Sequence, residues 1–339
     1  GGTSERQVSL MSGTNVWLKL KKSKKYNPKP YLLDFKNNVW ELPYGFILNH
    51  TVEEILYNAT NAKKNEKKTK EFVEAIKAEL LLEKNDTSEP LFFPRKMSFN
   101  EFLKNQKFVF LGLHGADGEN GKIQKILADK KIKFNGSGEV ASRICMDKYG
   151  TGELVRGIKI PSVSTPYQKV LSVKNIKSEG AEKIWKKLTN DLLAKTLIVK
   201  PKDDGCSTGV AHLYRVEDLE NYMKYVVSIE KNIPAGVLKK QSNIIEMPQK
   251  KLKELLFEKF IETDILNVKG NKLKHVRKNG WVEVTIGILE ERGKLHALNP
   301  SITIAEGEVL SVEEKFQGGT GVNLTPPPKG IVKDSAIKN

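Results

Sequence analysis

The sequence has only two cysteines, Cys145 and Cys206, and no CxxC pair. That excludes a disulfide framework and a four-thiolate metal site, and it agrees with a reducing compartment. Histidine is scarce as well. The five, at 50, 114, 212, 275 and 296, show neither an HExxH nor a paired spacing, so zinc chemistry has no support. No apolar run approaches the roughly 18 residues that span a bilayer. The opening GGTSERQVSL has neither a basic nor an apolar leader region, so the expectation is a cytoplasmic chain with no membrane partner. Arginine supplies only seven of the 57 basic residues. The formal charge of +16 therefore rests on lysines spread along the whole chain. Nucleic-acid readers instead cluster arginine with aromatic residues, so no nucleic-acid partner is expected.

What is present is the make-up of an ordinary globular chain. The 339 residues are 39% hydrophobic and 29% charged, enough for two or three domains with substantial cores. The glycine pair at residues 1 and 2 is of the kind that follows a buried strand, so a leading strand is expected ahead of it. A helix over 5–20 comes next, with Ser4 as N-cap and Val8, Met11, Val16 and Leu20 on one face. Residues 51–83 read as helix around the lysine-rich stretch 62–70, itself a solvated helix face or a loop.

Phe108 to Leu113 has the length of a strand and ends at His114-Gly115, after which helical spacing resumes past Gly121. Residues 160–167 read as a linker and 179–193 as one amphipathic helix. Strands follow at 196–199 and 210–214, on either side of a glycine loop, then a helix over 216–227. Two more strands are expected at 255–261 and 282–289, with a Lys/Asn/Gly-rich hairpin or loop between them. Alternating strands and helices of this kind indicate an α/β fold.

Two loops attract chemical readings. Asp203-Asp204-Gly205-Cys206-Ser207-Thr208-Gly209 can cradle phosphate oxygens with its backbone N–H groups and hydroxyls, or can be a plain strand-connecting turn; it is neither a Walker A loop nor a GxGxxG fingerprint. Lys200 adds a point charge at the end of the preceding strand. Cys206 has no base of recognisable spacing, which argues against a nucleophile. His114 to Gly121 is a polar loop at the carboxyl end of an apolar run, where open α/β sheets bind ligands, or a capped turn.

Taken in order, seven segments resemble the D-alanine-D-alanine ligase family of the ATP-grasp superfamily. GGTSERQVS resembles the family's GGxSxEHxVS, one residue shorter, and HGADGENGKIQ (114–124) resembles HGxxGEDGxIQ. NGSGEVASRICMDK (135–148) resembles TGSGxxASxxxMDK, and IVKPKDDGCSTG (198–209) resembles VKPxxxGSSxG. FEKFIE (257–262) is similar to VEEFIEG, EVTIGIL (283–289) to the strand after it, and VEEKFQGGT (312–320) to the YEAKYxxGGT omega loop.

The resemblance implies an ATP-grasp fold. A Rossmann-like preATP-grasp substrate domain would occupy 1–145, a central ATP-grasp subdomain 146–256, and a C-terminal ATP-grasp subdomain, incomplete here, 257–339. It implies ATP-dependent joining of two D-alanines through an acylphosphate, for peptidoglycan precursor synthesis, and a homodimer. Lys148 and Lys200 would hold phosphates and adenine, Gly205, Cys206, Ser207 and Gly209 would form the phosphate loop, Glu258, Phe260 and Ile261 would line the adenine pocket, and Glu283 would take the ribose hydroxyls. Glu5 and His114 would bind the first D-alanine, and Lys315 in the omega lid would close over phosphate and carboxylate. Glu5, Ser207 and Lys315 are thus the implied catalytic set.

Three departures carry expectations of their own. Cys206 and Phe316 stand where the family has Ser and Tyr, so the hydroxyl network with Glu5 cannot close, and D-lactate becomes an expected alternative acceptor. The family's RxD and ExN segment, which carries the ligands for Mg²⁺ or Mn²⁺, has no match, so no metal ligand is assigned in this chain. The expectation is a fragment without the first strand and the catalytic C-terminus, inactive alone. Other ATP-grasp carboxylate-amine ligases and a non-catalytic nucleotide-binding role are the alternatives.

Overall fold

The computed structural model describes residue 3 and residues 5–81, 93–269, 272–304 and 322–332. It divides into two compact units, residues 1–146 and 147–339. Among the described residues no helix is long and apolar enough to cross a membrane.

The first unit opens with α1 (Arg6–Lys21), one residue later than its sequence pattern suggests. The cap position belongs to Glu5, while Ser4 lies outside the described residues. Val8 and Trp17 are its buried positions, whereas Met11, expected on the same face, is exposed. Strands β1 (Tyr31–Leu33), β2 (Asn38–Glu41) and β3 (Arg95–Ser98) form an antiparallel sheet in that order. Alternation along β2 sends Val39 and Trp40 to opposite faces. Val39 joins a core with Met97, Phe102 and Leu127, and Trp40 joins one with Trp17, Ile47 and Ile55.

Helices α2 (Tyr44–Ile47), α3 (Val52–Asn61), α4 (Glu66–Glu79) and α5 (Phe99–Leu103) surround this sheet in the sequence. Thr51 caps α3 by accepting from the Glu54 N–H at 3.1 Å. The lysine-rich stretch is a 3₁₀ turn at Ala62–Asn65 followed by α4, which buries no residue, so the helical and not the loop reading of 66–70 holds. The apolar run at 108–113 is strand only over β4 (Phe108–Val109), which pairs in parallel with β5 (Lys133–Phe134). Between them lies α6 (Lys122–Asp129), and α7 (Glu139–Met146) closes the unit.

The second unit begins with α8 (Lys148–Ile158), capped by the Asp147 carboxylate on the Tyr149 and Gly150 N–H groups. Strand β6 (Gln168–Ser172) follows. Helix α9 (Val173–Glu179) comes next and ends at Gly180, and the helix expected over 179–193 is α10 (Ala181–Asp191). Then come β7 (Leu197–Pro201), β8 (Ala211–Leu213), α11 (Val216–Ser228), the two-residue pair β9 (Asn232–Ile233) and β10 (Ile245–Glu246), and β11 (Glu254–Lys259). The main sheet has the order β6-β11-β7-β8 and is antiparallel throughout. The expected domain division at 256/257 therefore falls inside a central strand.

Period-two alternation gives this sheet two different faces. Leu197, Val199, Ala211, Leu213, Leu255 and Phe257 point into a core completed by α10 and α11 through Ile184, Leu188, Leu219 and Tyr222. Register puts Gln168, Glu258, Ile198 and His212 in one row on the other face, with Lys200 one repeat along.

Hairpins β12 (Ile265–Lys269) with β13 (Lys272–Val276), and β14 (Ile288–Glu291) with β15 (Lys294–Ala297), precede the pair β16 (Ile302–Ile304) and β17 (Val322–Leu324). The strand expected over 282–289 is thus a correction: only its last two residues are strand, apart from a single bridge from Thr285 to Ser301. The Lys/Asn/Gly-rich insertion is a hairpin tied at its base by buried Asp264. One carboxylate oxygen of Asp264 accepts from the N–H groups of Lys278 (2.8 Å), Asn279 (3.0 Å) and Gly280 (2.8 Å), and the other meets His275 Nε2 at 2.9 Å.

The His275 hydrogen bond, followed by these backbone donors, holds the Asp264 carboxyl well below the usual carboxylate range. A depressed folded-state value favours the fold at every pH above the unfolded carboxylate's and is lost as pH falls through the folded value. Asp264→Ala should speed amide exchange at 278–280 by about tenfold or more at neutral pH. Unchanged exchange there would show that the carboxylate does not hold the hairpin.

Candidate functional site

In the second unit the site is built on the face of the sheet turned away from the core. Lys200 Nζ forms an ion pair with Glu258, and Gln168 Nε2 donates to the other Glu258 oxygen at 3.0 Å. Both ionic side chains are mostly buried, 19% and 13% exposed, so each depends on its partner. In the same row as Glu258, His212 packs against both Tyr214 and Phe260, each with its ring centroid 4.1 Å away, and its Nε2 meets Thr196 Oγ1 at 2.9 Å.

The glycine loop leaves β7 beside Lys200. Cys206, Ser207 and Gly209 all have positive φ (50°, 59° and 69°), a sequence of left-handed residues that an ordinary connecting turn does not need. The loop is anchored at its end: Gly209 N–H donates to the Glu246 carbonyl at 2.7 Å, and the buried Tyr222 hydroxyl donates to the Gly209 carbonyl at 2.7 Å. A Cβ at Gly209 would lie 2.9 Å from Pro201 Cγ, so only glycine lets the loop pass this close to β7.

Lys148, the first residue of α8, reaches the same loop. Its backbone N–H donates to the Lys202 carbonyl at 3.2 Å, and its ammonium donates to the Asp204 carbonyl. Burial, then the neighbouring Lys200 charge, hold the Lys148 ammonium below its ordinary value, against the opposing pull of Asp204 and Asp203. Lys250 balances Asp204 at 3.4 Å and Asp203 at 3.8 Å. Two lysines thus lie beside a loop of left-handed residues whose backbone N–H groups are of the kind that can meet phosphate oxygens.

Sequence reasoning therefore named Lys148, Lys200, Gly205, Cys206, Ser207, Gly209, Glu258 and Phe260, and the fold gathers them on one sheet face and its adjoining loop. Ile261 and Glu283 are exposed. Lys315 and Phe316 lie outside the described residues. Gln168, His212 and Lys250 were not singled out for this site, because their partners come from strands and loops distant in the sequence. The Gln168 and His212 roles are visible only once the strand order is known.

The first unit holds a second cluster. Glu5 is buried at the start of α1, and its carboxylate lies so near Gly115 that a Cβ there would sit 3.0 Å from Glu5 Oε1. His114 Nε2 meets Ser12 Oγ at 2.9 Å, and His114 Nδ1 lies 3.6 Å from Glu119 Oε1. The backbone N–H of His114 donates to Ser9 Oγ, and Thr3 Oγ1 donates to the His114 carbonyl. Gln124 Nε2 pins the loop through the Gly118 carbonyl at 2.6 Å. Candidate ligand atoms of Glu5, His114 and Glu119 lie within 4.8 Å of one another, a mixed donor set that suits an ammonium group or a cation. Glu5 and His114 were expected; Ser12 and Glu119 were not.

Comparison with known proteins separates the two units. Residues 1–137 match the family model described as D-ala D-ala ligase N-terminus. A D-alanine–D-alanine ligase of Clostridium botulinum (strain Hall) is 30% identical over 144 residues, 42% of this chain and 44% of that protein. Its counterpart in Buchnera aphidicola is 34% identical over 135 residues, 39% and 41% of the two chains. These matches span less than half the length of the curated relatives.

Among solved structures, a D-alanine-D-alanine ligase from Coxiella burnetii superimposes with a TM-score of 0.56 at 16% identity, over 89% of this chain and 68% of that one. A D-Ala:D-Ser ligase from Enterococcus faecalis gives 0.56 at 16% identity, over 100% and 76%. At such identity these likenesses establish the fold. Sequence thus likens residues 1–137 to the amino-terminal domain of D-alanine–D-alanine ligases, and the solved structures show that the chain shares the fold of such ligases.

Proposed function

We propose that the chain carries the nucleotide site and the first amino-acid site of an ATP-dependent ligase that joins D-alanine to a second D-alanine. The observation that carries the reading is the meeting of Lys148, Lys200 and the 203–209 loop at one end of a sheet face whose neighbouring row bears the His212–Phe260 stack. Lys148, Lys200 and the N–H groups of the loop would hold the phosphates, and the aromatic side chains offer a flat apolar surface to a base.

ATP, when bound, supplies the phosphoryl group that turns a carboxylate oxygen into a leaving group. Glu5, with His114 beside it, would hold the D-alanine ammonium. The D-alanine carboxylate attacks the γ-phosphorus, the bond to the bridging oxygen breaks, and ADP leaves. The amine of the second D-alanine then attacks the acyl carbon, phosphate departs, and the amine gives up a proton. Lys148 and Lys200 stabilise the charge that moves toward the β-phosphate in the first step.

Acidic groups beside the loop do not fit a resident divalent metal: Glu258 is engaged by Lys200, and Asp203 and Asp204 by Lys250.

Calorimetric titration with a non-hydrolysable ATP analogue tests the reading. Binding should be lost or weakened about tenfold or more in Lys148→Ala, and absence of binding to the unsubstituted chain would refute the nucleotide site. The lowered Lys148 value makes a second expectation. Phosphates favour the ammonium, so binding should take up protons between the depressed folded value and 10.5, seen as a buffer-dependent enthalpy in that alkaline window. In the unliganded chain the sign is opposite to that of an ion-paired lysine: the unfolded state holds this proton more tightly, so stability rises with pH through the same window.

A further inference from the structure

Helix α4 buries none of its 14 residues, although its sequence is amphipathic. Phe72, Ile76 and Leu80, the last just past the helix end, are spaced by four and so lie along one face. They are 66%, 37% and 61% exposed. A stripe of large apolar side chains left in water over about two turns marks a surface made to be covered.

The charges of the helix say what covers it. α4 carries four lysines and four glutamates, so as a whole it has no net attraction for an anionic lipid surface. Three ion pairs form within the helix: Lys67 with Glu71 (3.9 Å), Lys70 with Glu66 (2.6 Å) and Lys77 with Glu74 (3.3 Å). Of the charged residues of α4, only Lys68 and Glu79 make no ion pair among the described residues. Both are exposed, and they stand about three helical turns apart, which puts them on the same flank of the apolar stripe at opposite ends. A flank with a cation at its amino end and an anion at its carboxyl end is its own complement when two copies of the helix run antiparallel.

We infer that α4 is the docking surface for a second copy of this chain, packed antiparallel about a two-fold axis near the middle of the helix. Lys68 of each copy then meets Glu79 of the partner subunit, and Phe72 faces Ile76 of the partner subunit. A parallel pair would set lysine against lysine and glutamate against glutamate, which like-charge repulsion disfavours. Two helices roughly 21 Å long bury less than the roughly 1,200 Å² of a standard interface, so the association is weak, of micromolar order. α4 lies in none of the seven segments that carry the family resemblance.

Sedimentation velocity of the full chain, over roughly 5–500 µM at low salt, tests the interface. The unsubstituted chain should dimerise with rising concentration. Lys68→Glu and Glu79→Lys should each weaken self-association about tenfold, because each turns two opposite-charge contacts into like-charge ones. An equimolar mixture of the two variants should regain the dimer, since one flank is then wholly acidic and the other wholly basic. Phe72→Ser should leave the chain monomeric. All three positions are exposed, so the thermal midpoint of the monomer should stay within a few degrees of the unsubstituted value. A monomer at every concentration overturns the interface, because the stripe is then covered from within the chain or not at all. So does a dimer that survives both charge reversals, or a mixture of the two variants that associates no better than either alone.

Discussion

Lys200→Met should cost this protein both nucleotide affinity and stability, and a second substitution should separate the two. The ion pair with Glu258 sits in the mostly buried row that also contains Gln168. Removing the lysine leaves a carboxylate held only by an amide, and breaking a buried pair from one side costs roughly 3–5 kcal/mol; the residual exposure here lowers the expectation to about 2–3 kcal/mol. A charged hydrogen bond to phosphate is worth about 1.5–3 kcal/mol, so affinity for an ATP analogue should fall roughly 10- to 150-fold. The double change Lys200→Met with Glu258→Gln removes the orphaned charge. Stability should recover by most of the loss, measured by urea unfolding, while binding should stay weak. Wild-type affinity in Lys200→Met would end the phosphate-binding role of this residue.

Gly209→Ala is the other substitution expected to act strongly, and its cause divides into two parts that a control can measure. At φ +69° any residue with a Cβ is strained, by about 1–2 kcal/mol. The added Cβ would also lie 2.9 and 3.0 Å from Pro201 Cγ and Cδ and 3.3 Å from Pro248 Cδ. Proline rings cannot swing aside, so β7 or the loop must shift, for about 1–3 kcal/mol more. A total near 3 kcal/mol corresponds to a urea midpoint lower by roughly 1–2 M. Gly236→Ala has a similar φ of +81° but nothing within 4 Å of the new Cβ. It should show the conformational part alone. Equal losses at the two positions would mean that the loop is not packed against Pro201 as described.

Local signals in the sequence carried a good share of this architecture. The strand, glycine loop and strand over 196–214 were readable because a short apolar run, two glycines and a second apolar run are all local features, and the structure has β7, the loop and β8 there. Helix α1 was readable from its spacing to within a residue. Misreadings arose where periodicity continued across an event that spacing does not record. An alternating run at 282–289 looks like a strand, yet strands need partners, and only Ile288 onward finds one in β15.

The candidate site divides along the same line. Lys148, Lys200 and the loop were legible through motif resemblance, because backbone and side chain act within a short stretch. Gln168 and His212 became visible only with the register that sets them beside Glu258 and Ile198. Ser12 and Glu119 were missed because each meets His114 through folding of the first unit and carries no local signature.

The position of β11 has a consequence for synthesis on the ribosome. This strand is the last of its sheet in sequence, yet it sits between β6 and β7. A nascent chain that has exposed β6, β7 and β8 but not Glu254–Lys259 cannot bring β6 into the sheet, and Leu255 and Phe257 are missing from the core around Val199 and Leu219. Translation must therefore pass Lys259, and that stretch must clear the exit tunnel, before the sheet face bearing Lys200 and Glu258 exists at all. Until then the emerging chain displays an open strand edge to chaperones and neighbouring chains.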